Sequence, residues 1–346
     1  MRLRDEIGKS AAKLRIHGGR IDAAAQLYPS APQPWIDLST GINPIAWPVP
    51  QIPLALYQRL PLAREIAQLT EAAAEAYGLP ANAAIVPVPG SELAIRLLPR
   101  MTGAGRIGIL APTYGSHAAA WRDAGAEVCE FVALPDPSAH DLETLVVVNP
   151  NNPDGRAIAR ADLAAFAQAW TATGRRLIVD EAFADVRGDV SLLAMPELPV
   201  GAVVLRSLGK FFGLAGLRVG FVVVTEPDAS AWRRLFGDWP VSGPACEIAA
   251  LALRDRAWIA GTRTRLAADR KRLDGTLGRA GLKLLGGTDL FGLFEAPDGI
   301  DLLDHFAGSG ILIRGFATAP RHHRFGLPAD EAAWQRLEVA SGALVN

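Results

Sequence analysis

Short apolar runs recur through the middle of the chain: Ile107-Gly108-Ile109-Leu110, Leu145-Val146-Val147-Val148, Leu177-Ile178-Val179, Ala202-Val203-Val204-Leu205 and Val219 to Val224. Polar residues do not alternate within them, which predicts strands buried on both faces. Helix-like segments separate most of these runs, and helical periodicity also marks Pro61 to Tyr77 and Ser91 to Leu98. Strands alternating with helices predict an α/β fold on a mainly parallel sheet covered by helices, whose ligands bind beyond the carboxyl ends of the strands.

Both ends of the chain have a different texture. Residues 29–61 are rich in proline and predict an extended arm or connector. Beyond about residue 240, an Arg-rich helical stretch from Glu247 to Arg279 precedes strands around Leu290 to Phe294 and Ile311 to Arg314. A helix from Asp330 to about Leu344 follows. The expected organisation is an N-terminal arm with part of a small domain (1–45), a large domain (46–240) and a smaller C-terminal α/β domain (241–346).

Composition narrows the partners. Half of the 346 residues are hydrophobic, enough for a large core, and Lys+Arg 35 against Asp+Glu 36 leaves a net charge of -1. With no run of like charges, neither a nucleic-acid footprint nor a polybasic membrane patch is expected, and a small molecule is the favoured partner. Cys129 and Cys246 lie far apart and predict two buried free thiols, not a disulfide framework or a metal cluster. No stretch has the apolar length of a membrane span and the start lacks the apolar core of a secretory signal, so a cytoplasmic setting is expected. No motif suggests a catalytic metal.

The chemistry-bearing residues fall at the ends of the predicted strands. Ser207 precedes Lys210 by three residues and Arg218 follows it by eight, just after the run Ala202 to Leu205. Arg supplies a fixed, always-charged, bidentate donor for a phosphate, and a desolvated Lys near cations becomes a nucleophilic amine. Asp180 ends Leu177-Ile178-Val179-Asp180, Asn149-Pro150-Asn151-Asn152-Pro153-Asp154-Gly155 follows another run, and Val88-Pro89-Gly90-Ser91-Glu92 leads into a helix whose first N–H groups can face an anion. Ala111-Pro112-Thr113-Tyr114 ends a further strand. Taken singly, each has an ordinary explanation: a solvated lysine in a glycine-rich turn, an Asp helix cap, an Asn-Pro turn, a core tyrosine.

Together these segments resemble the aminotransferase class I and II superfamily of fold type I, and the resemblance implies pyridoxal 5'-phosphate. It implies that Lys210 holds the cofactor as a Schiff base, that Ser207 and Arg218 bind its phosphate with the Gly90-Ser91-Glu92 segment, and that Asp180 pairs with the pyridine nitrogen. It places Asn152 on the ring oxygen and the ring of Tyr114 on the pyridine face. Many transaminases carry Tyr three residues after the pairing aspartate; here that position is Phe183, which removes a donor to the cofactor.

Segments outside the cofactor motifs are similar to the threonine-phosphate decarboxylase family of the cobalamin pathway, relatives of histidinol-phosphate aminotransferase. They are His17-Gly18-Gly19, Asp37-Leu38-Ser39-Thr40-Gly41-Ile42-Asn43-Pro44, Arg59-Leu60-Pro61, Ala76-Tyr77-Gly78, Gly310 to Arg314 and Arg324 to Pro328, with Trp334 downstream. That similarity implies decarboxylation of O-phospho-L-threonine to (R)-1-amino-2-propanol O-2-phosphate. His17, Gly41, Asn43, Asn152, Arg314 and Arg324 are the implied substrate contacts; His322 and His323 read better as rim residues. It further implies a homodimer with shared active sites, in which Tyr57 is a candidate to reach the neighbouring cofactor phosphate. Two alternatives stand beside it: an aminotransferase acting on a phosphorylated amino compound such as histidinol phosphate, and a non-catalytic binding protein that retained the fold.

Overall fold

The structure, a computed structural model, describes residues 18–138 and 141–344. His17 therefore lies outside the described residues. In chain order the elements begin with α1 (Ile21–Leu27), β1 (Ile36–Asp37), α2 (Ala55–Gln58) and α3 (Ala63–Tyr77). They continue with β2 (Ala83–Val88), α4 (Ser91–Thr102), β3 (Arg106–Leu110), α5 (Gly115–Asp123), β4 (Glu127–Phe131) and β5 (Thr144–Val148). Next come α6 (Arg160–Thr171), β6 (Arg176–Asp180), β7 (Ala202–Ser207), β8 (Gly220–Thr225), α7 (Asp228–Phe236), α8 (Gly243–Arg254) and α9 (Arg256–Arg279). The chain closes with β9 (Lys283–Thr288), β10 (Phe291–Glu295), α10 (Leu302–Gly308), β11 (Ile311–Leu312), β12 (Arg314–Gly315), β13 (His322–Gly326) and α11 (Glu331–Gly342).

Contacts divide the chain into two units. The larger comprises residues 46–152 and 156–261; the smaller comprises 1–45, 153–155 and 262–346. The larger unit holds a seven-stranded sheet in the order β2-β8-β7-β6-β5-β3-β4. All the neighbouring pairs are parallel except those of β8, which runs antiparallel to both β2 and β7. The reason lies in the connection. Residues 208–219 contain no crossover helix that could carry the chain back to start a parallel strand, so the segment bearing Lys210 turns and returns beside β7.

The central strands are buried on both faces, as their unbroken apolar runs require: Leu145, Val146, Val147, Leu177, Ile178 and Val179 are all 0% exposed. On one face α4, α5 and α7 bring Ile95, Leu98, Trp121 and Trp232 onto Val146, Ile178 and Leu205. Sealing this core fixes the strand ends, and the strand ends carry the site.

The Arg-rich stretch expected as one helix is two. Asp255 divides it: its Oδ2 accepts from Trp47 Nε1 at 3.0 Å and its Oδ1 accepts from the Trp258 amide at 2.9 Å, which caps α9. The preceding α8 packs on α3 within the larger unit, which accordingly extends to Gly261. Cys246 is buried in α8 and burial pushes its thiol up to about 12, whereas Cys129 is only half-buried; both are free thiols.

At the start of α3, Glu65 accepts from the Leu62 amide at 2.9 Å and from Arg59 Nη1 at 3.0 Å. The Arg59 contact, then the amide, hold its carboxyl down at about 2, below the ordinary 4.5. A depressed carboxyl contributes stability that is complete above its unfolded value and is lost as pH falls through the folded one. Stability should therefore decline between about pH 4.5 and pH 2 partly through Glu65. Glu65→Gln should flatten this part of a urea-midpoint-against-pH curve, and Glu65→Ala should cost about 1 kcal/mol at neutral pH as a lost cap.

In the smaller unit an antiparallel sheet runs in the order β12-β13-β10-β9, and β1 pairs in parallel with β11. Gly326 is required in β13: a Cβ there would lie 2.5 Å from the Thr40 carbonyl oxygen. The segment 37–40 thus lies directly on the strand that carries Arg324.

Candidate active site

Five strand ends of the larger unit, those of β2, β3, β5, β6 and β7, converge on a cavity of about 270 Å³. Gly90, Ser91, Glu92, Tyr114, Asn152, Asp180, Ser207, Lys210 and Arg218 line it, with Phe183 among the apolar residues. Every residue expected from the sequence to hold a cofactor therefore borders one space. Ser207 ends β7 and accepts from the Gly209 amide at 3.2 Å, which tightens the turn presenting Lys210. Behind that turn Phe211 and Phe212 pack on Trp258, the latter stacked at 5.7 Å and 13°. Trp47 donates its amide to the Phe212 carbonyl at 2.9 Å. The lysine's Nζ stands 5.7 Å from the centroid of the Phe183 ring, so an aromatic face occupies the position where many transaminases have a phenol.

One end of the cavity is built for an anion. Helix α4 begins at Ser91, whose free amide is available at the positive end of the helix. Arg218 lies beside it, and a Cβ on Gly90 would sit only 2.8 Å from Arg218 Nη2, so this close approach needs glycine, as does the φ of +84°. Arg218 itself has φ 57 and ψ 49, the left-handed region that side chains disfavour, and is the non-glycine residue with positive φ among those described. That conformation turns its guanidinium back toward Gly90.

At the other end stands a carboxylate. Asp180 is 3% exposed; its Oδ1 accepts from the Ala182 amide at 3.0 Å and its Oδ2 lies 3.0 Å from His117 Nε2. Between the two ends, Tyr114 donates its hydroxyl to Glu92 at 3.0 Å, and burial pushes that phenol up to about 12. The Glu92 side chain also pairs with Arg96 at 3.2 Å, so it anchors the tyrosine instead of facing the anion end. Asn152 is held in place by its neighbours. Asn149 brackets the loop by accepting from the Ile158 amide at 2.8 Å and donating to the carbonyls of Ile158 and Val190. Asn151 donates to the Pro112 carbonyl at 2.8 Å and accepts from Thr113 at 2.6 Å, which ties the loop to the Tyr114 segment.

This donor set fits a flat aromatic group with a phosphate at one end and a basic ring nitrogen at the other. Arg218, Ser207 and the Ser91 amide suit the phosphate, Asp180 the nitrogen, Tyr114 a ring face and Lys210 a carbonyl carbon.

Two buried groups escaped the sequence reading. His117, 0% exposed, backs Asp180. Arg206, 4% exposed, donates to Glu181 Oε2 at 2.8 Å, pairs with Asp185 and lies 4.1 Å over the ring of Tyr77. Glu181 is also held by Ser191 Oγ and the Leu192 amide, each at 2.6 Å; burial nonetheless raises its carboxyl, with Arg206 opposing that shift. The Arg206 signal was present in the sequence as a charged residue inside a fully apolar strand, a placement that requires a partner. His117 gave no comparable signal.

The expected substrate residues belong to the smaller unit, except Asn152. Arg314 and Arg324 are direct partners across β12 and β13, so their side chains leave the sheet on the same face. Arg324 donates to the Ser39 carbonyl at 2.7 Å and lies 5.0 Å over Phe291; Arg314 lies 5.1 Å over Phe316. Asp37 is nearby, its carboxyl raised by burial against the opposing pull of Ser39 and Arg324. Gly41 is buried in the segment after β1. Asn43 is buried too, and its Oδ1 accepts from Arg265 at 2.7 Å and from the Ile45 amide at 3.1 Å, which gives this side chain a structural task in the loop. His322 is half-buried and His323 is 1% exposed, so the latter is a core residue, not a rim residue.

Residues 56–300 match the family model for aminotransferase class I and II. The chain belongs to the aminotransferase class I and II family. Among curated members, the threonine-phosphate decarboxylase of Pseudomonas aeruginosa is 44% identical over 325 residues, spanning 94% of this chain and 96% of that one. The threonine-phosphate decarboxylase of Sinorhizobium sp is 42% identical over 329 residues, spanning 94% and 97%. In three dimensions the fold of this family member is shared with histidinol-phosphate aminotransferase from Sinorhizobium meliloti, solved in complex with pyridoxal-5'-phosphate, at a TM-score of 0.78 over 94% of each chain and 20% identity. Among the described residues of this aminotransferase class I and II chain, no helix is long and apolar enough to cross a membrane and no cluster of His, Cys, Asp and Glu has metal-site geometry.

Proposed function

We propose that this chain is a pyridoxal 5'-phosphate enzyme that decarboxylates O-phospho-L-threonine to (R)-1-amino-2-propanol O-2-phosphate. The observation that carries the reading is its identity of 42–44%, over nearly their whole lengths, to two relatives named threonine-phosphate decarboxylase. The geometry supports the same substrate. Arg314 and Arg324 are cross-strand partners that present two cations on one face of the sheet, which suits a ligand with two anionic groups, such as a carboxylate and a phosphate.

When bound, the cofactor supplies an electron sink for the bond broken at the substrate's Cα. The protein does the rest. Arg218, Ser207 and the Ser91 amide bind the cofactor phosphate, while Asp180 holds a proton at the ring nitrogen. Lys210 is the covalent attachment point and afterwards the amine that delivers a proton to Cα. Arg324 and Arg314 would hold the substrate's two anions, and the hold on both groups would decide which bond at Cα is presented for cleavage. Phe183 contributes shape without a hydroxyl, which leaves one proton donor fewer for transamination. The same reading assigns cytoplasmic residence and a homodimer with shared active sites, supported by the family and by exposed Tyr57, Leu60 and Trp239 on the larger unit.

The test is direct. Supplied with O-phosphothreonine and no keto acid, the enzyme should release carbon dioxide and the amino-alcohol phosphate in equal amounts; a stoichiometric keto acid with a pyridoxamine spectrum would establish an aminotransferase instead. Arg324→Ala should raise KM for phosphothreonine by about tenfold or more, the cost of a lost charge-assisted contact, and leave the bound-cofactor spectrum unchanged. Loss of cofactor from that variant would count against the assignment of Arg324 to substrate.

A further inference from the structure

In the smaller unit the chain is fixed residue by residue where it leaves β1. Leu38 donates its amide to the Leu312 carbonyl at 2.8 Å, and its own carbonyl accepts from the Gly326 amide at 2.7 Å, so its backbone is held between β11 and β13. Ser39 follows and is 1% exposed. Its amide, at 2.8 Å, and its hydroxyl, at 2.5 Å, both donate to Asp37 Oδ1. A hydroxyl has one proton to give and lone pairs with which to accept. With the proton committed to Asp37, Ser39 Oγ accepts from the Gly19 amide at 2.7 Å. The Ser39 carbonyl accepts from Arg324 Nη2, also at 2.7 Å. Gly18 lies against that same carbonyl, since a Cβ there would sit 2.4 Å from its oxygen. One buried serine thus holds the Arg324 guanidinium with its carbonyl and the Gly18-Gly19 segment with its hydroxyl.

We infer that Ser39 is a positioning residue for substrate binding: its carbonyl orients the Arg324 guanidinium, and its hydroxyl keeps that carbonyl and the Gly18-Gly19 segment in one arrangement. The inference rests on the reading of Arg324 as a substrate contact and deepens it. A guanidinium is a rigid planar fork, so one short hydrogen bond together with the ring face of Phe291, 5.0 Å away, sets its plane. A carbonyl is the acceptor suited to this task. It orients the fork without cancelling its charge, whereas a carboxylate in the same place would take up the cation that an anionic substrate needs. Asp37, close enough to act on Arg324 by charge, is engaged at Oδ1 by both Ser39 donors. Without the hydroxyl, the Gly19 amide loses its acceptor and Asp37 loses one donor. The turn that carries the Ser39 carbonyl is then no longer held by its own side chain.

Steady-state kinetics of the loaded enzyme with O-phospho-L-threonine reads the effect. Ser39→Ala should raise KM by about fivefold, the scale of one lost hydrogen bond, with kcat within about threefold and the absorption band of the bound cofactor unchanged. Arg324→Ala supplies the background that separates positioning from packing. If Ser39 acts through that guanidinium, adding Ser39→Ala to Arg324→Ala should change KM by less than about twofold. The full increase persisting in the Arg324→Ala background would overturn the inference, because it assigns the serine to loop packing alone. So would a KM within about twofold of wild type in Ser39→Ala itself. Where Ser39→Ala does not fold, Ser39→Cys, near in size and weak in hydrogen bonding, carries the same two comparisons. A wild-type chain that turned over histidinol phosphate with a keto acid, and not O-phosphothreonine, would overturn the decarboxylase reading instead. KM for that substrate, compared across the same variants, would then decide the role of Ser39.

Discussion

Lys210→Ala is expected to lower carbon dioxide release from O-phospho-L-threonine by on the order of 10⁴-fold, because one change removes both the covalent attachment and the amine that moves the proton at Cα. The remaining parts of the cavity do not depend on that side chain. Asp180 is held by His117 and Ala182, Tyr114 by Glu92, and Arg218 by its own backbone conformation. The variant should therefore still bind pyridoxal 5'-phosphate, without a covalent link. Borohydride reduction followed by peptide mass mapping distinguishes the two cases: the cofactor mass should appear on the peptide containing Lys210 in the wild type and on no peptide of the variant. Turnover within tenfold of wild type in Lys210→Ala would remove the lysine from the mechanism.

Arg206→Met should have the largest effect on stability, about 3–5 kcal/mol, because it leaves Glu181 and Asp185 buried without their cation. The urea midpoint should fall at unchanged slope, the signature of lost stability without a change in the unfolded chain. Neutralising the carboxyls as well, in Arg206→Met with Glu181→Gln and Asp185→Asn, should recover part of the loss. A triple variant no more stable than the single one would show that the arginine acts through packing on Tyr77, not through charge. A functional effect should accompany the structural one. Glu181 directly follows Asp180 and Arg206 directly precedes Ser207, so this buried pair ties together the backbone beside two residues that line the cavity. Cofactor affinity in Arg206→Met should drop together with stability.

The fold was largely legible because unbroken apolar runs carry strong information when both faces of a sheet are covered. Each run expected as a central strand forms one in β3 and β5 to β8. What the pattern does not encode is direction. Val219 to Val224 reads like the parallel strands, and only the short connection after β7, with no crossover α-helix, sets it antiparallel. Strands with mixed composition were not read at all: β4, Glu127–Phe131, alternates charge with apolar residues, and β13 contains two histidines and an arginine. The helix break at Asp255 depends on Trp47, which is more than two hundred positions away in sequence. The cavity residues were legible because each comes from a local motif at a strand end. His117 was not, since its meaning arises only when α5 is folded against β6. For Asn43 the local motif was visible, while its hydrogen bond to Arg265 was not.

The left-handed conformation of Arg218 has a consequence for how this sequence can change. Holding an arginine in that region costs about 1–2 kcal/mol that a glycine at the same place would not incur. The side chain that would leave with the strain is the guanidinium facing Gly90. Backbone stability and the anion-binding capacity of the Gly90 end of the cavity therefore pull in opposite directions at position 218.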